Sequence, residues 1–270
     1  MKSVKSFLKR VLPQPAAVKL AQGYDALKRT AELPAAALHP WRRDTIRQLG
    51  DFKDKHAGER CFIIGNGPSL KQMDLSPLRN EFTMGMNRIY MLFHELGFQT
   101  TYYLSVNDLV IEQCAADIQN LKLPRFVSWR SRKWLNPEKD LFFLHTTYTG
   151  PKFSEDIRHR LWEGATVTYT ALQVAFYLGF QTVILIGVDH NFVTKGVPNT
   201  TVVSSGDDPN HFHPGYFGKG FRWQLPDLET SEIAYNKAKT AYSSAGRQVL
   251  DATFGGKLTV FEKVSYNDLF

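Results

Sequence analysis

The chain has 270 residues, with 33 Lys and Arg against 26 Asp and Glu, a formal net charge of +7, 43% hydrophobic residues and 13% aromatic residues. That balance excludes disorder and collagen-like or coiled-coil fibres, and the length suits one large domain with an appendage. Two cysteines, Cys61 and Cys114, exclude a disulfide framework and a four-thiolate zinc site and fit a reducing cytoplasm, while no apolar run of about 18 residues is present to span a bilayer.

The first 50 residues form a basic, helical N-terminal extension in this reading. Val4, Phe7, Leu8, Val11 and Leu12 share one helical face, and Lys2, Lys5, Lys9 and Arg10 occupy the rest. Such a helix fits either an anionic membrane surface, met through residues 1–12, or packing on the main domain. Pro13 and Pro15 end it, because each lacks a backbone donor. Two further short helices are broken near Pro34 and Pro40. The extension holds ten Lys and Arg against three acids, while the remaining 220 residues balance at 23 against 23. The net charge is therefore a property of the extension, which argues against nucleic acid as a partner of the rest.

Residues 51–270 read as an α/β domain. Buried strands are expected at 60–65, 82–86, 101–106, 125–129, 141–145 and 182–187, with helices at 69–80, 88–97, 108–120, 165–178 and 228–245. Continuous apolar strands alternating with helices indicate a Rossmann-like, mostly parallel sheet with helices on both faces. Ligands in such sheets bind beyond the carboxyl ends of the strands, so the residues after each strand carry the information.

The first strand ends in Gly65-Asn66-Gly67-Pro68-Ser69-Leu70. The two glycines are expected to take positive φ and let a ligand approach, and Pro68-Ser69 to open a helix whose N-terminus faces a phosphate. It is neither a Walker loop nor a complete GxGxxG fingerprint. The next two strands end in Asn87 and in Asn107-Asp108. Three asparagines at one sheet edge suit recognition of a base, ribose or phosphate without net charge. The last strand of this series ends in Gly187-Val188-Asp189, with Asp189 placed to orient a ribose or help hold a metal.

A segment of about 190–226 follows, too long for an ordinary connection and rich in aromatic residues. It reads as a lid over the acceptor side of the site. His211 or His213 supplies a general base, and Tyr216, Lys219 and Arg222 are phosphate-binding candidates. A metal site from His211, His213 and Asp189, or magnesium on Asp207-Asp208, is a further option. Cys61 and Cys114 read as core residues, the second within a helix.

Together Gly65-Asn66-Gly67-Pro68-Ser69-Leu70, Asn87-Arg88-Ile89-Tyr90, Gly187-Val188-Asp189, His213-Pro214-x-Tyr216-Phe217-Gly218-Lys219-Gly220, Ala252-Thr253-x-Gly255-Gly256-Lys257-Leu258 and the closing Asp268-Leu269-Phe270 resemble the MptE-like family over residues 50–270. That family is named for an archaeal hydroxymethylpterin diphosphokinase, which transfers diphosphate from ATP with magnesium. The same core resembles bacterial sialyltransferases of the campylobacter type and the central domain of motility-associated flagellin glycosyltransferases. By the sialyltransferase resemblance, Asn66, Asn87 and Asn107 contact the nucleotide, Gly187-Val188-Asp189 matches a conserved turn, and His211 or His213 corresponds to the base. The sialyltransferases' phosphate-binding tyrosines follow soon after the aspartate, whereas this chain reads His190-Asn191-Phe192-Val193 there.

The resemblance implies a glycosyltransferase that uses a CMP-activated, sialic-acid-like donor in surface glycan assembly. The reaction is an inverting displacement without a required cofactor, in which Gly67, Ser69, Tyr216 and Lys219 stabilise the departing phosphate. Its partners are the nucleotide donor and a glycan or other hydroxyl acceptor, and the location is cytoplasmic, peripheral on the inner face of the membrane. One alternative is an ATP-dependent diphosphokinase with magnesium on Asp108, Asp189 and Asp207. Another is a non-catalytic nucleotide- or RNA-binding module.

Overall fold

A computed structural model describes Leu27 and residues 33–270. The amphipathic stretch of 1–12 and the breaks at Pro13 and Pro15 lie outside the described residues. Two helices come first, α1 (Leu33–Leu38) and α2 (Pro40–Leu49). Pro40 occupies the first turn of α2, where its missing N–H costs nothing, and His39 Nδ1 caps it by accepting from the Trp41 N–H at 3.2 Å.

Then follow β1 (Arg60–Ile64), β2 (Phe82–Met86), α3 (Phe93–Leu96), β3 (Tyr102–Ser105), α4 (Asp108–Gln113), α5 (Ala115–Asn120), β4 (Arg125–Ser128), β5 (Leu141–Thr147) and β6 (Arg160–Trp162). The second half holds α6 (Val167–Tyr177), β7 (Thr182–Ile186), β8 (Thr201–Val203), β9 (Arg222–Gln224), α7 (Leu228–Ser244), β10 (Gln248–Asp251) and β11 (Glu262–Lys263).

Nine strands form one sheet in the order β11-β10-β7-β1-β2-β3-β4-β5-β6, and each neighbouring pair is parallel. The chain steps outward from β1 to β6, then returns through α6 to place β7 on the other side of β1. The carboxyl ends of β1 and β7 thus flank the point where the topology reverses. Alternate residues of β1 face opposite layers. Cys61 and Ile63 join a core with α6 and α7, while Phe62 and Ile64 join a second with Trp129 and the aromatics of 212–223.

All six expected strands form, with ends differing by a residue or two. The expected helix of 69–80 instead forms two 3-10 turns, Pro68–Gln72 and Ser76–Asn80, because a second proline restarts the chain at Pro77. The helix of 88–97 is a 3-10 turn, Ile89–Leu92, followed by α3, which stops at Gly97 with φ 68°. The helix of 108–120 breaks at Cys114, so this buried thiol sits between α4 and α5 rather than within a helix. Strands β6 and β8 to β11 carry two to four residues each, too few for a periodic signal.

A boundary at residue 50 also falls inside packed structure. Helix α2 buries Arg42, Thr45 and Leu49, and Thr45 Oγ1 accepts the Phe143 N–H of β5 at 3.3 Å.

His145 on β5 lies half-buried among cations. Burial first, then Arg160, Arg42 and Arg130, push its imidazole down to about 4. The unfolded imidazole titrates near ~6.5, so the unfolded chain binds more protons than the native state between those values. Stability is expected to fall as pH drops through that window. His145→Gln should flatten this part of the profile, read by urea unfolding at several pH values; a profile unchanged by the substitution would show that His145 is not its source.

Candidate functional site

The site begins with two turns pressed together. Gly65 N–H donates to Ile186 O at 2.8 Å and Gly67 N–H to Gly187 O at 2.9 Å. A Cβ on Gly65 would overlap the Gly187 carbonyl, and one on Gly67 would coincide with the Asp189 carboxylate. Ser69 completes the contact, its N–H reaching Asp189 Oδ1 at 3.1 Å and its hydroxyl Oδ2 at 2.7 Å. Burial raises the Asp189 carboxyl above its ordinary range, and the Ser69 bonds oppose that shift.

This corrects the reading of the turn. Neither Gly65 nor Gly67 has positive φ; both are glycine because a neighbouring strand end leaves no room for a side chain. The following turn is 3-10, and its Ser69 N–H is already committed, so it does not present a free helix N-terminus to phosphate.

A cleft of about 210 Å³, open to solvent, lies beyond these turns and brings together Gly65, Asn66, Gly67, Asn87, Asn107, Gly187 and Asp189. Asn66 is buried, and its Oδ1 has no hydrogen-bond partner. A buried acceptor left unpaired is costly, and a ligand donor would satisfy it. Asn87 sits at φ 51°, with its Oδ1 accepting from Ser105 Oγ at 2.9 Å. Asn107 caps α4 by accepting from the N–H groups of Leu109 and Val110. Both therefore spend their amide oxygen on the fold and keep the amide N–H groups.

Two helix N-termini complete the floor. Gly164 (φ 54°) and Ala165 (φ 60°) turn the chain so that Thr166, the cap of α6, enters the cleft with Val167 and Thr168. Asp227 caps α7 through the Thr230 N–H, and Leu228 and Ser231 line the same space. Among the described residues no lysine or arginine lines this cleft. The hydrogen-bond donors it offers are those of helix N-termini, backbone N–H groups and imidazoles, beside the carboxylates of Asp189 and Asp227.

The segment of 190–226 is a folded wall. Strands β8 and β9 pair antiparallel across it, and Phe212, Tyr216, Phe217 and Trp223 are buried. The Arg88 guanidinium donates to the carbonyls of Gly215 and Tyr216 and holds the wall to the end of β2.

His211 lines the cleft. Its Nδ1 lies 2.7 Å from Asp208 Oδ2, and its ring stacks on Tyr216 at 4.0 Å with planes 8° apart. The Asp208 side chain is only 4% exposed, so the imidazole is oriented by a dry carboxylate, with Nε2 left as its free nitrogen.

The other lid candidates are placed elsewhere. His213 lies in a second cavity beside Leu70, Met73 and Pro214, with its Nδ1 accepting from Gly215 N–H at 3.0 Å. Tyr216 is fully buried beneath His211 and so does not reach a phosphate. Lys219 is exposed and lies outside the lining. Arg222 pairs with Glu112 at 2.9 Å on the outer surface.

Asp108 also leaves the set. It pairs with the buried Arg130 at 2.9 Å, which is held in turn by Glu163 at 2.7 Å. A His211, His213 and Asp189 metal triad does not assemble, because His213 lines the second cavity and not this cleft. Asp207 is exposed while Asp208 is spent on His211. Among the described residues no group of three or more His, Cys, Asp or Glu converges as a metal site.

His190, Thr166, Thr168, Asn210, Trp223 and Tyr235 also line the cleft, though motif reasoning passed over them. His190, at φ 52°, directly follows the strand-end aspartate, the one signal that singles it out. The others come from helix caps and a hairpin that only the fold brings near.

A family model described as 6-hydroxymethylpterin diphosphokinase MptE-like matches residues 39–195. That span holds the three asparagines, Asp189 and His190, and stops short of His211. The MAf glycosyltransferase from Magnetospirillum magneticum AMB-1 superimposes with a TM-score of 0.51 at 16% identity, over 90% of this chain and 41% of that protein. The chain thus spans less than half of that protein, and the likeness is one of fold. No curated protein matches by sequence. No helix among the described residues is long and apolar enough to cross a membrane.

The two-turn contact makes a sharp expectation. Gly67→Ala should destabilise the fold by about 3 kcal/mol, the upper part of the overpacking range. Pairing it with Asp189→Ala should recover part of that loss, since the clash is with that carboxylate. Chemical denaturation measures both; additive losses would place the strain elsewhere.

Proposed function

The chain belongs to the MptE-like family, and from that premise we propose that it is a nucleotide-dependent transferase, specifically a glycosyltransferase using a CMP-activated, sialic-acid-like donor. The observation that carries this reading is the His211–Asp208 pair in the same cleft as the three strand-end asparagines. The asparagines read the nucleotide, with a donor group of the base or ribose satisfying Asn66 Oδ1. A CMP-sialic-acid-like donor carries two anions, a phosphate and a carboxylate. Two helix N-termini with Thr166 and Thr168 supply donors for both without a lysine or arginine.

His211 Nε2 then takes the proton of the acceptor hydroxyl as its oxygen attacks the anomeric carbon. The bond from that carbon to the phosphate oxygen breaks, and its electron pair leaves with CMP. A single inversion results. The chain would do this without a resident cofactor, on a glycan or other hydroxyl acceptor in surface glycan assembly. The place of work would be the cytoplasmic face of a membrane, with residues 1–12 meeting anionic lipid. Co-sedimentation of the full chain with anionic vesicles tests that last element, and loss of Lys2, Lys5, Lys9 and Arg10 should release it.

The alternative is the diphosphokinase activity named in the family description, which needs magnesium on ATP. The residues present fit that ion poorly. Asp189 is engaged by Ser69, Asp108 by Arg130 and Asp208 by His211, so the carboxylates do not converge on a shared point.

Thermal shift against CMP, CDP, UDP, GDP, ATP and AMP, each with and without magnesium, separates the readings. A ligand at about 100 times its Kd adds roughly 2.7 kcal/mol of apparent stability. CMP stabilisation independent of magnesium is expected, and Asn66→Ala should abolish it. Stabilisation by ATP with magnesium alone would favour the kinase. His211→Asn should keep nucleotide binding and lower transfer roughly a hundred- to ten-thousandfold; unchanged turnover would remove His211 from the mechanism.

A further inference from the structure

The cleft has a second imidazole–carboxylate pair besides that of His211, formed by His190 and Glu232. His190 follows Asp189 directly, and its φ of 52° is a conformation that a non-glycine residue adopts only when its surroundings impose it. That turn aims the ring sideways off the end of β7 into the lining of the cleft. The ring is 7% exposed, lies edge-on to Tyr235 with centroids 6.2 Å apart, and holds Nε2 2.9 Å from Glu232 Oε1 on α7. Among the described residues Nδ1 has no hydrogen-bond partner.

The two pairs are wired through opposite nitrogens. His211 meets Asp208 through Nδ1 and leaves Nε2 free; His190 meets Glu232 through Nε2 and leaves Nδ1 free. Their carboxylates differ too, since the Asp208 side chain is dry while that of Glu232 is 53% exposed.

We propose that His190 is the donor that receives the departing phosphate of the nucleotide, with Glu232 behind it and His211 acting as the base in the same cleft. This rests on the reading of the cleft as that of a nucleotide-dependent transferase. The reason is charge balance. When the carbon–oxygen bond breaks, the phosphate diester becomes a monoester and gains one negative charge. No lysine or arginine among the described residues lines the cleft to meet that charge. The imidazole between Glu232 and the phosphate carries one positive charge, donates from Nε2 to the carboxylate and from Nδ1 to the phosphate oxygen, and keeps both protons. The acceptor's proton resides on His211, so every proton and electron pair is placed. The N-termini of α6 and α7 reinforce the same wall, and donors aimed at developing charge in a sheltered site are worth more than in water.

Calorimetric titration of each nucleoside monophosphate against its parent nucleoside tests this, using the full chain. Asn tolerates the left-handed turn, so His190→Asn keeps the backbone and removes the donor. Loss of a hydrogen bond to a charged group should weaken monophosphate binding roughly tenfold to a hundredfold and leave nucleoside binding unchanged. Glu232→Gln, on an exposed helix surface, should give a smaller loss confined to the monophosphate.

Equal weakening of nucleoside and nucleotide, or no change in either variant, would overturn the assignment. If purine nucleotides bind in place of CMP but depend on His190 in this way, the assignment stands and the cytidine donor falls. If no nucleotide binds the unaltered protein, both fall.

Discussion

Everything at the functional end of this molecule hangs on the contact between the turns that leave β1 and β7. Their strands are neighbours, but the chain arrives at them from opposite halves of the sheet. Two backbone hydrogen bonds from Gly65 and Gly67, and two more from Ser69 to Asp189, lock the turns at a separation no side chain could share. Pinning them together keeps the strand-end loops from filling the space above, and a cleft remains. The glycines here serve protein-to-protein approach, whereas in nucleotide-binding loops the same residue type commonly admits a phosphate.

The chemistry of the cleft follows from what that contact leaves unspent. Asn87 and Asn107 use their oxygens to stabilise a left-handed turn and a helix start, while Asn66 keeps a buried oxygen without a partner. The first turns of α6 and α7 both reach the lining, and helix ends act over one turn only, so their effect there depends on the fold delivering both to the same cleft. Cationic side chains are absent from the lining among the described residues. In the proposed function such a cleft would hold an anion by direction rather than by net charge.

The segment of 190–226 shows why long loops resist reading from sequence. Its aromatic density marks it as structured, and its histidines mark it as chemical. The two histidines flank the buried Phe212, and His211 lines the cleft while His213 lines the second cavity. Tyr216 had every appearance of a phosphate ligand by composition, yet it is the platform on which His211 stacks. Asp108, next to a pocket asparagine in sequence, turns instead to Arg130.

The sequence by itself determined the class of fold, six central strands and the three asparagines. Each is a local property: a parallel core strand reads as an apolar run, and the residue after it lies at the sheet's carboxyl edge whatever the connections do. Only the tertiary structure decided what GNGPS packs against, which histidine lines the cleft and which helix ends reach it. Those depend on segments as far apart as Ser69 and Asp189, in contact, or Ala165 and Trp223, in one lining, brought together by the order of strands in the sheet. The +7 charge is the plainest case, since counting assigns it to the N-terminal extension, while only three-dimensional packing shows that two helix starts and two imidazoles of the neutral remainder share one cleft.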